Sequence, residues 1–164
     1  MDQLWTPWRY QYVQKARPAG SCVFCLKSDP QKDDENFVVY RGTLNFVVLN
    51  LYPYTTGHMM VVPYQHVDTL EAASRDALEE MILLCQQAQR HLREVYKPSG
   101  FNLGMNLGES AGAGVAEHIH MHVLPRWSGD TSFMTTVSET RVLPEELPVT
   151  YRKLRTAFHA TAVP

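Results

Sequence analysis

Glu117-His118-Ile119-His120-Met121-His122-Val123-Leu124-Pro125-Arg126-Trp127 is the stretch on which the fold of this chain turns. Histidines recur at every second position, with Ile119, Met121 and Val123 interleaved. On a β-strand successive side chains point to opposite faces, so His118, His120 and His122 line one face and the apolar residues the other. A titratable row backed by an apolar row describes a strand that packs on one side and does chemistry on the other. The plain reading is a half-exposed strand with histidines by coincidence. A second is a catalytic metal site, because imidazoles at i and i+2 can share one ion. A third is covalent catalysis, with one imidazole as nucleophile and its neighbours orienting it and the substrate. Spacing alone does not separate the last two.

Outward from this strand, residues 36–41 and 44–50 read as two strands joined through Arg41-Gly42-Thr43, a hairpin. Leu51–Gly57 reads as a loop, and His58–Val62 as a third strand that Pro63 ends. Asp68-Thr69-Leu70-Glu71 has the form of a capping box. A long helix follows, in which Leu78, Met81, Cys85, Ala88, Leu92 and Val95 recur at intervals of three and four until Pro98-Ser99-Gly100 stops it. Phe101–Leu107 alternates apolar and polar residues as a half-buried strand does, Gly108–Gly114 reads as a flexible loop, and Val149–Phe158 as a last short helix. This order predicts an α+β fold, mainly antiparallel, with the long helix across one face of the sheet. One domain is expected: an N-terminal arm over residues 1–35, a core over 36–127 and a C-terminal extension over 128–164.

The 164 residues suffice to bury roughly two-thirds of the unfolded surface. A formal net charge of -2 offers no basic field for nucleic-acid phosphates, while small phosphorylated ligands need only local donors. Met1–Arg9 lacks the apolar core of a signal peptide, and no apolar run approaches the ~18 residues of a membrane span. Three cysteines argue against a secreted disulfide framework. The expectation is a soluble cytoplasmic protein with no nucleic-acid or membrane partner.

Cys22-Val23-Phe24-Cys25 is a zinc half-site, a redox pair or an unused pair. No βαβ context surrounds it, which weakens the redox reading. Zinc needs two more ligands, for which His66 and one histidine of the row are candidates; a closed Cys2His2 site is structural, with no open position for substrate. Cys85 lies on the apolar stripe of the long helix and reads as a small buried residue. Trp5 and Trp8 read as packing residues for the arm, and His91 and His159 as solvated.

His118-Ile-His120-Met-His122-Val-Leu resembles the His-φ-His-φ-His-φ-φ signature of the histidine triad superfamily of nucleotide hydrolases and transferases. Asn50-Leu-Tyr-Pro53-Tyr-Thr-Thr-Gly57-His58, with Met59–Val62 and Pro63 after it, is similar to the family's first nucleotide-binding segment. Asn102-Leu-Gly104-Met-Asn106-Leu-Gly108 resembles its second. The resemblance spans about residues 36–127. Trp127 with the following Ser-Gly-Asp-Thr-Ser-Phe, and Trp-Thr-Pro-Trp-Arg near the start, are most similar to the bacterial diadenosine tetraphosphate phosphorylase-like branch.

What the resemblance implies is specific. The fold would be a five-stranded antiparallel sheet with a long helix on one face. His120 would be the nucleophile that attacks an α-phosphorus and becomes a nucleotidyl-imidazole, its tautomer held by a backbone carbonyl near the first histidine. His122 would contact the phosphate, His58 would support the nucleophile's surroundings, Asn50 would hold the ribose and Asn106 would donate near the phosphates. In zinc-bearing members the ligands correspond here to Cys22, Cys25, His66 and His118, and the zinc is structural. A homodimer, adenosine nucleotides or dinucleoside polyphosphates as partners, and no organic cofactor are implied as well.

One stretch departs from the family. Many of its hydrolases carry Gly-Gln-Ser/Thr shortly before the triad, where this chain has Ala111-Gly112-Ala113-Gly114-Val115-Ala116-Glu117. No side chain there donates a hydrogen bond, although backbone N–H groups around Gly114 can cradle an anion. The acceptor, water or inorganic phosphate, stays open. Trp127, beside the triad, would flank a base or the leaving group, or simply pack. Alternatives are a nucleoside phosphoramidate or adenylyl-amine hydrolase, a nucleotide-binding protein of low turnover, and a metalloenzyme using the whole histidine row.

Overall fold

The computed structural model describes residues 22–131, 135, 137 and 143–160. Trp5 and Trp8 therefore lie outside the described residues.

Five strands form one antiparallel sheet in the order β1-β2-β3-β5-β4: β1 Val38–Arg41, β2 Asn45–Leu49, β3 Met59–Pro63, β4 Gly100–Gly104 and β5 Met121–Arg126. Among the described residues the sheet is accompanied by α1, a single turn over Asp33–Asn36, the long α2 over Arg75–Tyr96, and α3 over Leu147–Ala160. The five-stranded α+β fold expected from the sequence is the one found.

Strands β2 and β3 are buried at every position, which accounts for their uninterrupted apolar runs. Residues of one parity, Val47, Leu49, Met59 and Val61, meet Met81, Cys85, Ala88 and Leu92 of α2 and Leu154 and Phe158 of α3. Residues of the other parity, Phe46, Val48, Met60 and Val62, meet Cys22, Phe24 and Val115. Two helices thus cover one face, and the N-terminal arm with the glycine–alanine loop covers the other. Helix α3, although it falls in the C-terminal extension, supplies fully buried Leu154 and Phe158 to the main core.

The hairpin β1–β2 is tied to α2 by Glu80, whose carboxylate accepts from Thr43 N–H (2.7 Å), Leu44 N–H (2.8 Å) and Asn45 Nδ2 (2.8 Å). Burial is the largest single influence on its pKa and raises it, but these donors together outweigh it and hold the pKa below the ordinary carboxylate value.

The structure corrects the sequence at four places. Helix α2 is capped by Ser74, whose Oγ accepts from Ala77 N–H at 3.2 Å, not by Asp68. Residues Asp68–Ala73 form turns in which Thr69 Oγ1 accepts from Ala72 N–H and Leu70 O from Ala73 N–H, so the local donors are satisfied before a helix can start. Strand β4 ends at Gly104 rather than Leu107, and is an exposed edge rather than half-buried. The ladder of the histidine strand begins at Met121, so His118 and His120 precede it. His91 is not solvated: it is 2% exposed and its ring lies 4.4 Å from that of Phe158, because α3 docks over that side of α2.

No helix among the described residues is long and apolar enough to cross a membrane.

Candidate active site

The alternation read from the sequence survives although the ladder starts late. Ile119 and Val123 are buried in the core under the helices, while the three histidines face the opposite side. Ile119 N–H donates to Val67 O at 2.8 Å and pins the segment just ahead of β5. The register Met60↔His122 sets the last histidine against β3. All three are buried, at 1%, 5% and 9% exposure for His118, His120 and His122.

His118 is separated from the other two by its partners. Its Nδ1 lies 3.3 Å from Cys22 Sγ, 3.7 Å from Cys25 Sγ and 3.3 Å from His66 Nδ1, and Cys25 Sγ is 3.3 Å from His66 Nδ1. All four ligand atoms lie within 4.8 Å of one another. A tetrahedral zinc with ligands at about 2.0–2.3 Å requires edges of roughly 3.3–3.8 Å, so the donor set fits that ion in number, chemistry and spacing. His118 Nε2–H donates to Pro63 O at 2.9 Å, leaving Nδ1 with its lone pair toward the cluster. Burial first, then the neighbouring imidazoles, lowers the His118 pKa.

His120 and His122 line a cavity with Asn50, Asn106 and Gly114. The backbone settles their tautomers. His120 Nδ1–H donates to His118 O at 2.9 Å, so its Nε2 carries the lone pair. Tyr54 N–H donates to His58 Nδ1 at 3.1 Å, so the proton of His58 is on Nε2. That Nε2–H donates to His122 Nδ1 at 2.9 Å, which leaves His122 with its proton on Nε2. Two adjacent imidazoles, with ring centroids 4.9 Å apart, therefore present one acceptor and one donor.

Desolvation lowers the pKa of His120, and desolvation followed by the proximity of His120 pushes His122 down to about 4. Both are neutral at pH 7. A histidine whose folded pKa lies below its unfolded value of 6.5 stabilises the fold fully above pH 6.5, and that stability is lost as pH falls toward 4. His58, the stacked ring of Tyr54 and His120 surround it. The midpoint of thermal unfolding should fall between pH 6.5 and 4, and fall less in His122→Asn. Parallel curves for the two proteins would exclude His122 as the titrating group.

Asn50 Oδ1 accepts from Tyr52 N–H at 3.0 Å while Nδ2 lies 3.4 Å from His58 Nδ1, so Asn50 sits against His58 and faces the cavity. Trp127 is placed differently. It lines an adjoining cavity of about 770 Å³ with Tyr54, Tyr96 and Arg126, and its Nε1–H donates to Tyr96 O at 3.3 Å. Tyr54 borders both cavities.

Sequence reading passed over Phe24 and Lys27, which also line the histidine cavity. The Phe24 ring lies 4.9 Å from that of His120 and 5.5 Å from that of His118. Its place between Cys22 and Cys25 was a usable signal: if both cysteines bind near His118, the intervening residues must lie near His120. No pattern marked Lys27.

A family model for the HIT domain matches residues 31–129, and the chain belongs to the HIT (histidine triad) family. It is 43% identical over 165 residues to a protein named AP-4-A phosphorylase from Mycobacterium tuberculosis, across 96% of this chain and 85% of that one. It is 32% identical over 95 residues to the asymmetrical bis(5'-nucleosyl)-tetraphosphatase of Schizosaccharomyces pombe, across 58% of this chain and 52% of that one. Among solved structures, a zinc-bound histidine triad family protein from Mycobacterium smegmatis superposes with a TM-score of 0.68 at 30% identity, covering 85% of this chain and 94% of its own.

Proposed function

We propose that the chain cleaves dinucleoside polyphosphates at the α-phosphorus through a covalent intermediate on His120, with inorganic phosphate as acceptor. The observation that carries the reading is the pair of fixed tautomers. His120 offers an Nε2 lone pair in a buried site without having to lose a proton, as a nucleophile requires. His122 offers an N–H beside it as a neutral donor to a phosphoryl oxygen, its orientation set in advance by His58.

In this reading His120 Nε2 forms a bond to the α-phosphorus of diadenosine tetraphosphate as the bridging P–O bond breaks, and ATP leaves. Phosphate then attacks the adenylyl-imidazole, releases His120 and yields ADP. Asn106 and the backbone at Gly114 are the contacts proposed for the phosphates and Asn50 for the ribose, while the N–H groups of Gly112 and Ala113 donate to Glu109 O and Gly108 O and shape the turn. The likeness to an AP-4-A phosphorylase supports phosphate over water. The shorter likeness to an asymmetrical tetraphosphatase makes water the competing acceptor.

The same reading places a structural zinc on Cys22, Cys25, His66 and His118, supported by the cluster's spacing and by the zinc-bound neighbour. A bound zinc there would hold the arm to the sheet; a four-ligand shell leaves it no part in phosphoryl chemistry. A homodimer in the cytoplasm completes the proposal, with the exposed edge strand β4, its Leu103 and the following Leu107 offering an apolar contact.

Incubation with diadenosine tetraphosphate, with and without inorganic phosphate, tests it. ADP plus ATP formed only when phosphate is present is the expected result. AMP plus ATP independent of phosphate would replace the acceptor by water. Turnover of phosphoramidates alone would replace the substrate class.

A further inference from the structure

Lys27 is the one charged side chain among the described residues that line the histidine cavity. It is 6% exposed, and its Nζ donates to Asn36 O at 2.9 Å. An ammonium has three N–H donors, and this carbonyl takes one. Among the described residues no carboxylate offsets its charge: burial alone acts on its pKa, and lowers it. A buried ammonium without a counter-charge is costly, so its place on a ligand cavity calls for an acceptor arriving with the ligand.

The register shows which part of a ligand it meets. His122 pairs with Met60, Met60 with Val48, and Val48 with Val38, so β5 and β1 are separated by three strand spacings, roughly 14 Å. Asn36, the anchor of Lys27, lies two residues before Val38. Val48 and Val38 belong to the apolar cluster that also holds Phe24, Met60 and Val115, which line the cavity with the histidines. A phosphate bonded at His120 does not reach across that distance, whereas the nucleoside attached to it extends that way over an apolar surface.

We propose that Lys27 reads the nucleobase, its ammonium donating to a ring nitrogen or carbonyl oxygen on the edge of the bound base. The assignment rests on the nucleotide reading of the cavity. The contact sits at the far end from the phosphorus, so it contributes to affinity and base choice rather than to the chemical step.

AMP and ribose 5-phosphate, which differ only in the base, provide the test. Wild-type protein should bind AMP more tightly, and Lys27→Met should weaken AMP about tenfold or more, the size expected for a charge-assisted hydrogen bond, while leaving ribose 5-phosphate unchanged. Lys27→Gln, which keeps a donor for Asn36 O, should fall between the two, and its thermal unfolding serves as the folding control. Equal losses for AMP and ribose 5-phosphate would assign Lys27 to the sugar or phosphate and overturn the proposal, as would unchanged AMP affinity in a folded variant. If wild-type protein fails to prefer AMP at all, the nucleotide reading itself fails.

Discussion

His120→Ala is expected to lower turnover of diadenosine tetraphosphate by a factor on the order of 10⁴ to 10⁶, the range seen when a nucleophile is removed, while the zinc content stays near one per chain. Two separate features combine in this expectation. Nε2 of His120 is the only unprotonated imidazole nitrogen that the hydrogen bonds of the His120–His122 pair leave for attack. The Cys/His cluster, by contrast, draws on His118 and contains no atom of His120. Wild-type protein quenched during turnover should carry an acid-labile adenylyl group, and the variant none. His122→Ala removes a donor rather than the nucleophile and should cost less, about 10²–10³. Loss of the metal in His120→Ala would show that the whole histidine row binds the ion, and the covalent mechanism would be wrong.

Cys25→Ser is expected to release the zinc and to lower the midpoint of thermal unfolding by roughly 8–16 °C. A ligand present at a thousand times its dissociation constant stabilises the folded state by about 4 kcal/mol, and each kcal/mol moves the midpoint of a chain this long by roughly 2–4 °C. Cys85→Ala is the contrast. Cys85 sits on the buried face of α2, its thiol pushed up to about 12 by burial, and it lies outside the cluster, so its loss should leave zinc content unchanged. Metal analysis and thermal melts on both variants decide the matter. Retention of one zinc in Cys25→Ser would remove that cysteine from the ligand set.

The sheet was legible because β2 and β3 are buried on both sides and so are apolar from Phe46 to Leu49 and from Met59 to Pro63, and because α2 carries an apolar stripe of six residues recurring at intervals of three and four. The division of the histidine row was legible only by joining distant segments: Cys22 and His118 stand 96 positions apart, and spacing within the row says nothing about which member turns to the cysteines. Other features stayed hidden because they depend on how elements dock. The burial of His91 follows from where α3 lies, and Lys27 enters the cavity through the path of the arm. Ser74 was missed for a local reason. Two capping patterns compete within seven residues, and the one nearer Ala77, the first buried residue of the helix, prevails.

The arm residues Val23, Phe24 and Lys27 form part of the cavity wall, yet they are synthesised first and the segment they close upon comes nearly a hundred residues later. Contacts of such sequence separation form late, after the local helix and hairpins, because the intervening chain must be brought together before they add any stability. The histidine cavity is therefore expected to close only after the hairpin and the long helix have formed. A chain with its strands and helix in place but its arm undocked would lack one wall of that cavity, so competence to bind is expected to mark the docking of the arm rather than the first appearance of the fold.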